Sequence, residues 1–256
     1  MDRWARRCGA VINADNLVTI VTKTASGIDR ATTAHLAARG DRVVLTDLTA
    51  DALTAAAAEC GGIAVVADVT DEADCDAIVA AAVAAYGRID ALVHCAGVEE
   101  DFVDAHEMPL AVFERTMRIN VTGSFLVARA VGRQMVAQGS GSIVLLGSIL
   151  SQVGYGRNAA YTASKGAVLQ LGRALAVDWA RYGVRVNVVG PGPVATPMSQ
   201  DTIDDPERGA WLRERIPLGR PAVAQDVASL CAFLTSEESS YMTGAYVPVD
   251  GGWLAL

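Results

Sequence analysis

Residues 17–47 read LVTIVTKTASGIDRATTAHLAARGDRVVLTD. Leu17–Thr22 is a short β-branched run, Gly27–Arg39 is an Ala-rich helical stretch, and Arg42–Asp47 is a second β-branched run. Strand, helix and strand at this spacing predict a right-handed crossover joining two parallel strands. The alternation continues outward. Helical patterns cover Asp51–Cys60, Glu72–Tyr86, Leu110–Val136, Ala159–Tyr182 and Ala224–Leu234. Further strands are expected at Ile63–Ala67, Ala91–Cys95, Ser142–Leu146, Arg185–Val189 and Tyr246–Val249. The expected fold is α/β, a doubly wound parallel sheet of about seven strands with helices on both faces. No Pro/Gly/Ser-rich linker or repeat interrupts it, so residues 1–256 read as a single domain. The irregular stretch is Gly190–Pro217. Its prolines (Pro191, Pro193, Pro197, Pro206, Pro217) and acidic cluster (Asp201, Asp204, Asp205) suggest a surface lid over a site.

The composition excludes several classes. Hydrophobic residues make up 52% of the 256, and the formal net charge is −8. That balance argues against a nucleic-acid partner and an anionic membrane surface. No window holds the run of about 18 apolar residues that a membrane span needs. Five scattered cysteines without CxxC spacing, beside three histidines, form no metal-ligand pattern and suit a reducing cytoplasm. Arg6-Arg7 resembles a twin-arginine signal, but Asn13, Asp15 and Asn16 break the apolar stretch that should follow.

In open parallel sheets, ligands sit beyond the carboxyl ends of the strands. The long helix after the fifth strand carries Tyr161-Thr162-Ala163-Ser164-Lys165, with Tyr and Lys one turn apart on one face. An ammonium there favours the phenolate, lowering the Tyr pKa toward working pH for proton transfer. The same spacing also suits an exposed helix with a stray pair. Composition sharpens the reading: of 21 basic residues only Lys23 and Lys165 are lysines. Ser148, thirteen residues before Tyr161, is placed to polarise the same oxygen, or merely to form a turn after Gly147. Asn120 interrupts a helical stretch, where it either bends the helix and holds a water near Lys165 or faces solvent.

With these residues, the chain resembles the short-chain dehydrogenase/reductase family of the compact, single-domain, Rossmann-like type, from Leu17 to Trp253. Tyr161 and Lys165 match its YxxxK pair, Ser148 its serine and Asn120 its fourth catalytic member. Asp68-Val69 match the adenine-flanking pair, and His94-Cys95-Ala96-Gly97 an NNAG-like motif with His94 for the first Asn. Pro191-Gly192, Val194 and Thr196 match the nicotinamide-cradling segment, and Asp250-Gly251-Gly252 the C-terminal signature. The resemblance implies hydride transfer between a secondary alcohol or ketone and a nicotinamide. Tyr161 is then the acid/base, Ser148 the group orienting the carbonyl, Lys165 the ribose-holding cation and Asn120 the anchor of a proton relay. It also implies a homo-oligomer, a tetramer or dimer.

The cofactor loop departs from the family's TGxxxGxG. Here Thr22-Lys23-Thr24-Ala25-Ser26-Gly27-Ile28-Asp29 keeps only the middle glycine. Lys23 is expected in a glycine-like conformation, and Asp29 faces a phosphate at a cost of about 3 kcal/mol at 5 Å. Three readings stay open. Lys23 contacts phosphate or neutralises Asp29 and a cofactor still binds through Lys23, Ser26, Gly27 and Ile28. Alternatively, Lys23 and Asp29 pair and close the site, leaving a non-redox binding protein or a cofactor-free acid/base enzyme. In the third, both point to solvent. Asp47 ends the second strand, where a carboxylate accepts both ribose hydroxyls and repels a 2′-phosphate; this favours NAD over NADP, though an Asp at a strand end also starts turns. Side chains expected near a small-molecule carbonyl or alcohol substrate are Ile149, Leu150, Gln152, Tyr155, Met198 and Glu99; most are apolar, which points to a hydrophobic carbonyl or secondary alcohol, though core packing under the lid suits each of them equally well.

Overall fold

The computed structural model describes residues 16–24, 27–197 and 199–256. The predicted alternation is present. In chain order it runs β1 (Val18–Thr22), α1 (Gly27–Arg39), β2 (Arg42–Asp47), α2 (Ala50–Cys60), β3 (Ile63–Val66), α3 (Glu72–Tyr86) and β4 (Ala91–His94). Then come α4 (Leu110–Met117), a π-helical segment (Arg118–Thr122), α5 (Gly123–Gln138) and β5 (Gly141–Leu146). After a short 3₁₀ turn (Ile149–Ser151) follow α6 (Ala159–Trp179), β6 (Val184–Pro191), β7 (Val194–Ala195), α7 (Gln200–Asp204) and α8 (Pro206–Arg215). The chain closes with β8 (Ala222–Val223), α9 (Ala224–Thr235) and β9 (Tyr246–Val249).

Seven strands form one sheet in the order β3-β2-β1-β4-β5-β6-β9, and every neighbouring pair is parallel. Alternate side chains serve opposite faces. Ile20, Val44, Leu92, Ile143 and Leu145 pack against Ile78 of α3, Val127 and Val131 of α5 and Leu169 of α6. Their neighbours Val21, Leu45, Val93 and Val144 pack against Leu36 of α1, Leu53 of α2 and Val227 of α9. Both faces are therefore covered, which is why the central strands read as nearly unbroken apolar runs.

The strand order reverses between β1 and β4, which pair through Thr22 and His94 at their carboxyl ends. A ligand crevice is expected at such a reversal.

Two departures from the sequence reading have local causes. The stretch expected as one helix over 110–136 is broken by the π segment, whose wider turn contains buried Asn120. π-bulges of this kind concentrate at functional sites. Residues 190–217 are more regular than a lid read from prolines: β6 continues to Pro191, β7 pairs with β8, and two helices follow. Pro206 starts α8 rather than breaking it, because the first helical turn needs no N–H. The Asp205 side chain accepts hydrogen bonds from the Glu207 and Arg208 amides there.

α3 is held at its start by Asp71, whose carboxylate accepts the Ala73 and Asp74 amides at 2.8 and 3.1 Å. Asp71→Ala is expected to cost about 1 kcal/mol, lowering the melting temperature by roughly 2–4 °C for a chain this long. Thermal unfolding followed by circular dichroism checks it, and an unchanged melting temperature would refute the capping role.

Candidate active site

A cleft of about 530 Å³ opens at the carboxyl edge of the sheet, reaching from Lys23, Gly27 and Asp29 past Tyr161 to Trp253. α6 supplies two of its walls' groups one turn apart. Lys165 is buried, and its Nζ donates to the Leu146 carbonyl at the end of β5, at 2.8 Å. The same ammonium lies 5.4 Å from the centre of the Tyr161 ring. Ser148 follows β5 in extended backbone and opens the 3₁₀ turn with its side chain accepting the Leu150 amide. The Ser151 hydroxyl donates to the Lys165 carbonyl at 2.8 Å, tying that turn to α6. Tyr246 of β9 donates from its hydroxyl to the Ser148 carbonyl, also at 2.8 Å.

Asn120 bridges two further elements. Its Oδ1 accepts the Val98 amide, while its Nδ2 donates to the Val98 carbonyl and to the Ser164 hydroxyl. The π segment thus clamps the loop after β4 to α6. The structure brings Asn120, Ser148, Tyr161 and Lys165 together, and neither the solvent-facing asparagine nor the stray-pair reading survives.

Electrostatics in the cleft departs from one expectation. Burial pushes the Tyr161 phenol well above its ordinary pKa, Glu99 adds to the rise, and a hydrogen bond with Ser148 opposes it. The expected lowering by the ammonium is not seen in this state, where desolvation of the phenolate is the largest cause. The cost falls on the lysine as well: burial, and then the charge of Lys23, lower Lys165 to about 8. His94, buried and lowered to about 3, is neutral. The Thr22 hydroxyl accepts the Cys95 and Ala96 amides and contacts His94 Nδ1 at 3.0 Å. With both lone pairs engaged, Thr22 has only its proton to give, which places the histidine proton on Nε2.

At the crevice, Lys23 takes the left-handed conformation expected of it, with φ 62°. Its side chain does not extend to solvent. Nζ donates across the crevice to the Gly97 carbonyl at 2.9 Å, joining the loops after β1 and β4. Asp29 is buried in the first turn of α1, so the reading with both residues in solvent is overturned. Ser26 and Met198 lie outside the described residues.

The remaining candidates divide by position. Gly27, Ile28, Gly97, Pro191, Gly192, Val194 and Thr196 line the cleft, as do Ile149, Leu150, Tyr155 and Glu99. Gln152 is exposed and lies off the cleft. Ala96 sits beside it with its amide on Thr22. Asp47 ends β2 and Asp68 and Val69 follow β3, all three off the cleft. Asp47 Oδ1 accepts the Thr49 amide, so the carboxylate starts the next turn.

A dinucleotide fits at the Tyr161 end. A side chain on Gly97 would bring its Cβ to 3.3 Å from Asn120 Oδ1 and 3.5 Å from Lys165 Nζ. Bare backbone there leaves Lys165 lining the cleft, with Asn120 buried behind Gly97 on Val98 and Ser164. Sequence reasoning missed Glu100 and Asn158. Glu100 Oε1 accepts the Ala160 and Tyr161 amides at the start of α6, and Asn158 Nδ2 donates to Glu99. Two adjacent acids in the loop that follows β4, where ligands gather, were the available signal.

A doubly wound sheet with a tyrosine, lysine and serine gathered beside its reversal point is the architecture of a dinucleotide-type oxidoreductase. A family model described as Enoyl-(Acyl carrier protein) reductase matches residues 23–254. The chain is 40% identical over 247 residues to the 2-(R)-hydroxypropyl-CoM dehydrogenase of Xanthobacter autotrophicus, covering 93% of this chain and 99% of that one. It is also 40% identical over 247 residues to the galactitol 2-dehydrogenase (L-tagatose-forming) of Cereibacter sphaeroides, covering 95% and 97%. A solved levodione reductase superposes with a TM-score of 0.90 at 34% identity, over 94% of this chain and 98% of that one. The chain belongs to the short-chain dehydrogenase/reductase family and is an oxidoreductase.

The lysine shift sets a pH test. The unfolded chain keeps this proton up to 10.5 and the folded chain only to about 8. Between these values the unfolded state binds more protons, so this group makes stability rise with pH. Lys165→Met removes that rise. The unfolding free energy of wild type minus variant, from urea titrations below and above pH 8, should grow with pH; a flat difference overturns the assignment.

Proposed function

We propose that the protein interconverts a secondary alcohol and its ketone with a nicotinamide cofactor, NAD in preference to NADP, and that Tyr161 passes the proton. The observation that carries the reading is the convergence of Ser148, Tyr161 and Lys165 at one end of a cleft whose other end is the β1–β4 crevice. The nicotinamide, when bound, supplies the hydride chemistry. Gly27 and Ile28 at the start of α1, with Lys23 and Ser26, would hold its pyrophosphate, and Asp47, Asp68 and Val69 its adenosine. Ala96, Gly97, Tyr161 and Lys165, with Pro191, Gly192, Val194 and Thr196, would hold its nicotinamide half.

The chain's own groups handle the oxygen. A substrate oxygen between Ser148 and Tyr161 meets a hydroxyl donor on one side and a phenol on the other. With its pKa raised, Tyr161 is protonated at neutral pH and is poised to donate to a ketone oxygen. Alcohol oxidation needs the phenolate, so its rate should climb with pH. Lys165 and Asn120 fix the helix and loop around that oxygen. The segment over residues 190–217 is read as a lid, supported by its cleft-lining Thr196, Ile203 and Leu212.

Asp47 at the edge of β2 supports NAD, because a carboxylate there repels a 2′-phosphate. Exposed Phe113, Phe125 and Val177 on α4–α6 support a homo-oligomer, a dimer or tetramer. The free thiols of Cys60, Cys75, Cys95 and Cys231 support a reducing cytoplasm. No helix among the described residues is long and apolar enough to cross a membrane.

NADH fluorescence titration with a panel of ketones tests the reading. Turnover with NADH is expected, and folded protein that neither binds nor oxidises NADH or NADPH overturns it. Tyr161→Phe should lower kcat by about 10²–10⁴-fold while NADH still binds. Asp29→Gly removes a carboxylate from the crevice and should tighten NADH by up to about a hundredfold. Unchanged affinity there means Asp29 does not face the phosphates.

A further inference from the structure

The head of α6 carries hydrogen-bond acceptors that the chain does not satisfy. Glu100 is only 7% exposed and Asn158 1%, and both line the cleft beside Tyr161. Glu100 Oε1 caps the helix, but its Oε2 has no hydrogen-bond partner. Asn158 gives its Nδ2 to Glu99, and its Oδ1 has no partner either. Leaving a buried acceptor without a donor is costly, and natural sites retain such a group where a ligand supplies the donor. Glu99, exposed toward the cleft, adds a third acceptor to the group.

A wall of rings leads away from this cluster. Phe102 and Tyr155 lie 6.0 Å apart, Tyr155 and Trp211 6.2 Å, and Trp211 and Trp253 5.6 Å. The Arg215 guanidinium already covers Trp211 and Trp253, at 5.5 and 5.2 Å from the ring centres. A cationic substrate would meet that guanidinium on the aromatic faces, and an anionic one would meet Glu99 and Glu100. Uncharged donors on a carbon chain suit both surfaces.

Resting on the oxidoreductase reading above, we infer that Glu99, Glu100 and Asn158 form a subsite for a hydroxyl beyond the reacting one. The substrate class is an uncharged polyhydroxy alcohol, or its ketose, lying along the aromatic wall. A hydroxyl donates to the unpartnered oxygens while the neighbouring carbon presents its oxygen to Ser148 and Tyr161.

The test compares kcat/KM for four- to six-carbon sugar alcohols with that for 2-alkanols of equal length, using wild type and Glu100→Gln. That variant keeps the oxygen capping α6 and puts an amide donor where the unpartnered oxygen stood, and its melting temperature verifies folding. Wild type should favour the sugar alcohol by about 10- to 100-fold, and the ratio should fall toward one in Glu100→Gln and in Glu99→Ala. Equal rates in wild type, or a ratio untouched by both variants, overturn the inference while 2-alkanol turnover leaves the oxidoreductase reading standing. Should neither alcohol turn over with NAD or NADP, that reading fails, and tryptophan fluorescence decides the subsite. Quenching by a sugar alcohol in wild type but not in Glu100→Gln upholds it; no quenching removes it.

Discussion

The active end of this molecule depends on one buried ammonium. Lys165 lies inside the protein on the Leu146 carbonyl, at the point where β5 stops accepting from its neighbours. A buried cation is tolerable only where oriented dipoles replace water, and here burial has already lowered its pKa to about 8. The contact fixes how far α6 slides along the sheet, and that in turn sets Tyr161 opposite Ser148. Asn120 and Ser151 hold the same helix from two other sides.

The crevice at the β1–β4 reversal carries the largest departure from a glycine-rich turn. Lys23 accepts a left-handed backbone, which costs about 1–2 kcal/mol, and in exchange its side chain bridges to Gly97. The bridge ties together the loops after β1 and β4. Asp29, buried at the start of α1, is favoured there by the helix dipole. Its charge opposes phosphate in the same place. Fold stability and anion binding pull in opposite directions at this turn, whose cleft Lys23 also lines.

Much of the site was legible because its signals are local. The Tyr161–Lys165 spacing places two groups on one helix face without any tertiary information, and Ser148 follows a strand end where ligands collect. The direction of the Tyr161 shift was not legible, since it comes from burial by residues distant in sequence. The helices within 190–217 were obscured by prolines that start a helix as readily as they end one.

Periodicity determined the seven parallel strands and the helices on each face, because alternation at two and 3.6 residues is written in neighbouring positions. The order of those strands, β3-β2-β1-β4-β5-β6-β9, came from the tertiary packing. Only the tertiary structure decided that Lys23 reaches Gly97, 74 residues away, and that Glu100 caps a helix 60 residues on. Those contacts join loops whose separations in sequence carry no period, so their partners are chosen by where the packed sheet leaves its carboxyl ends.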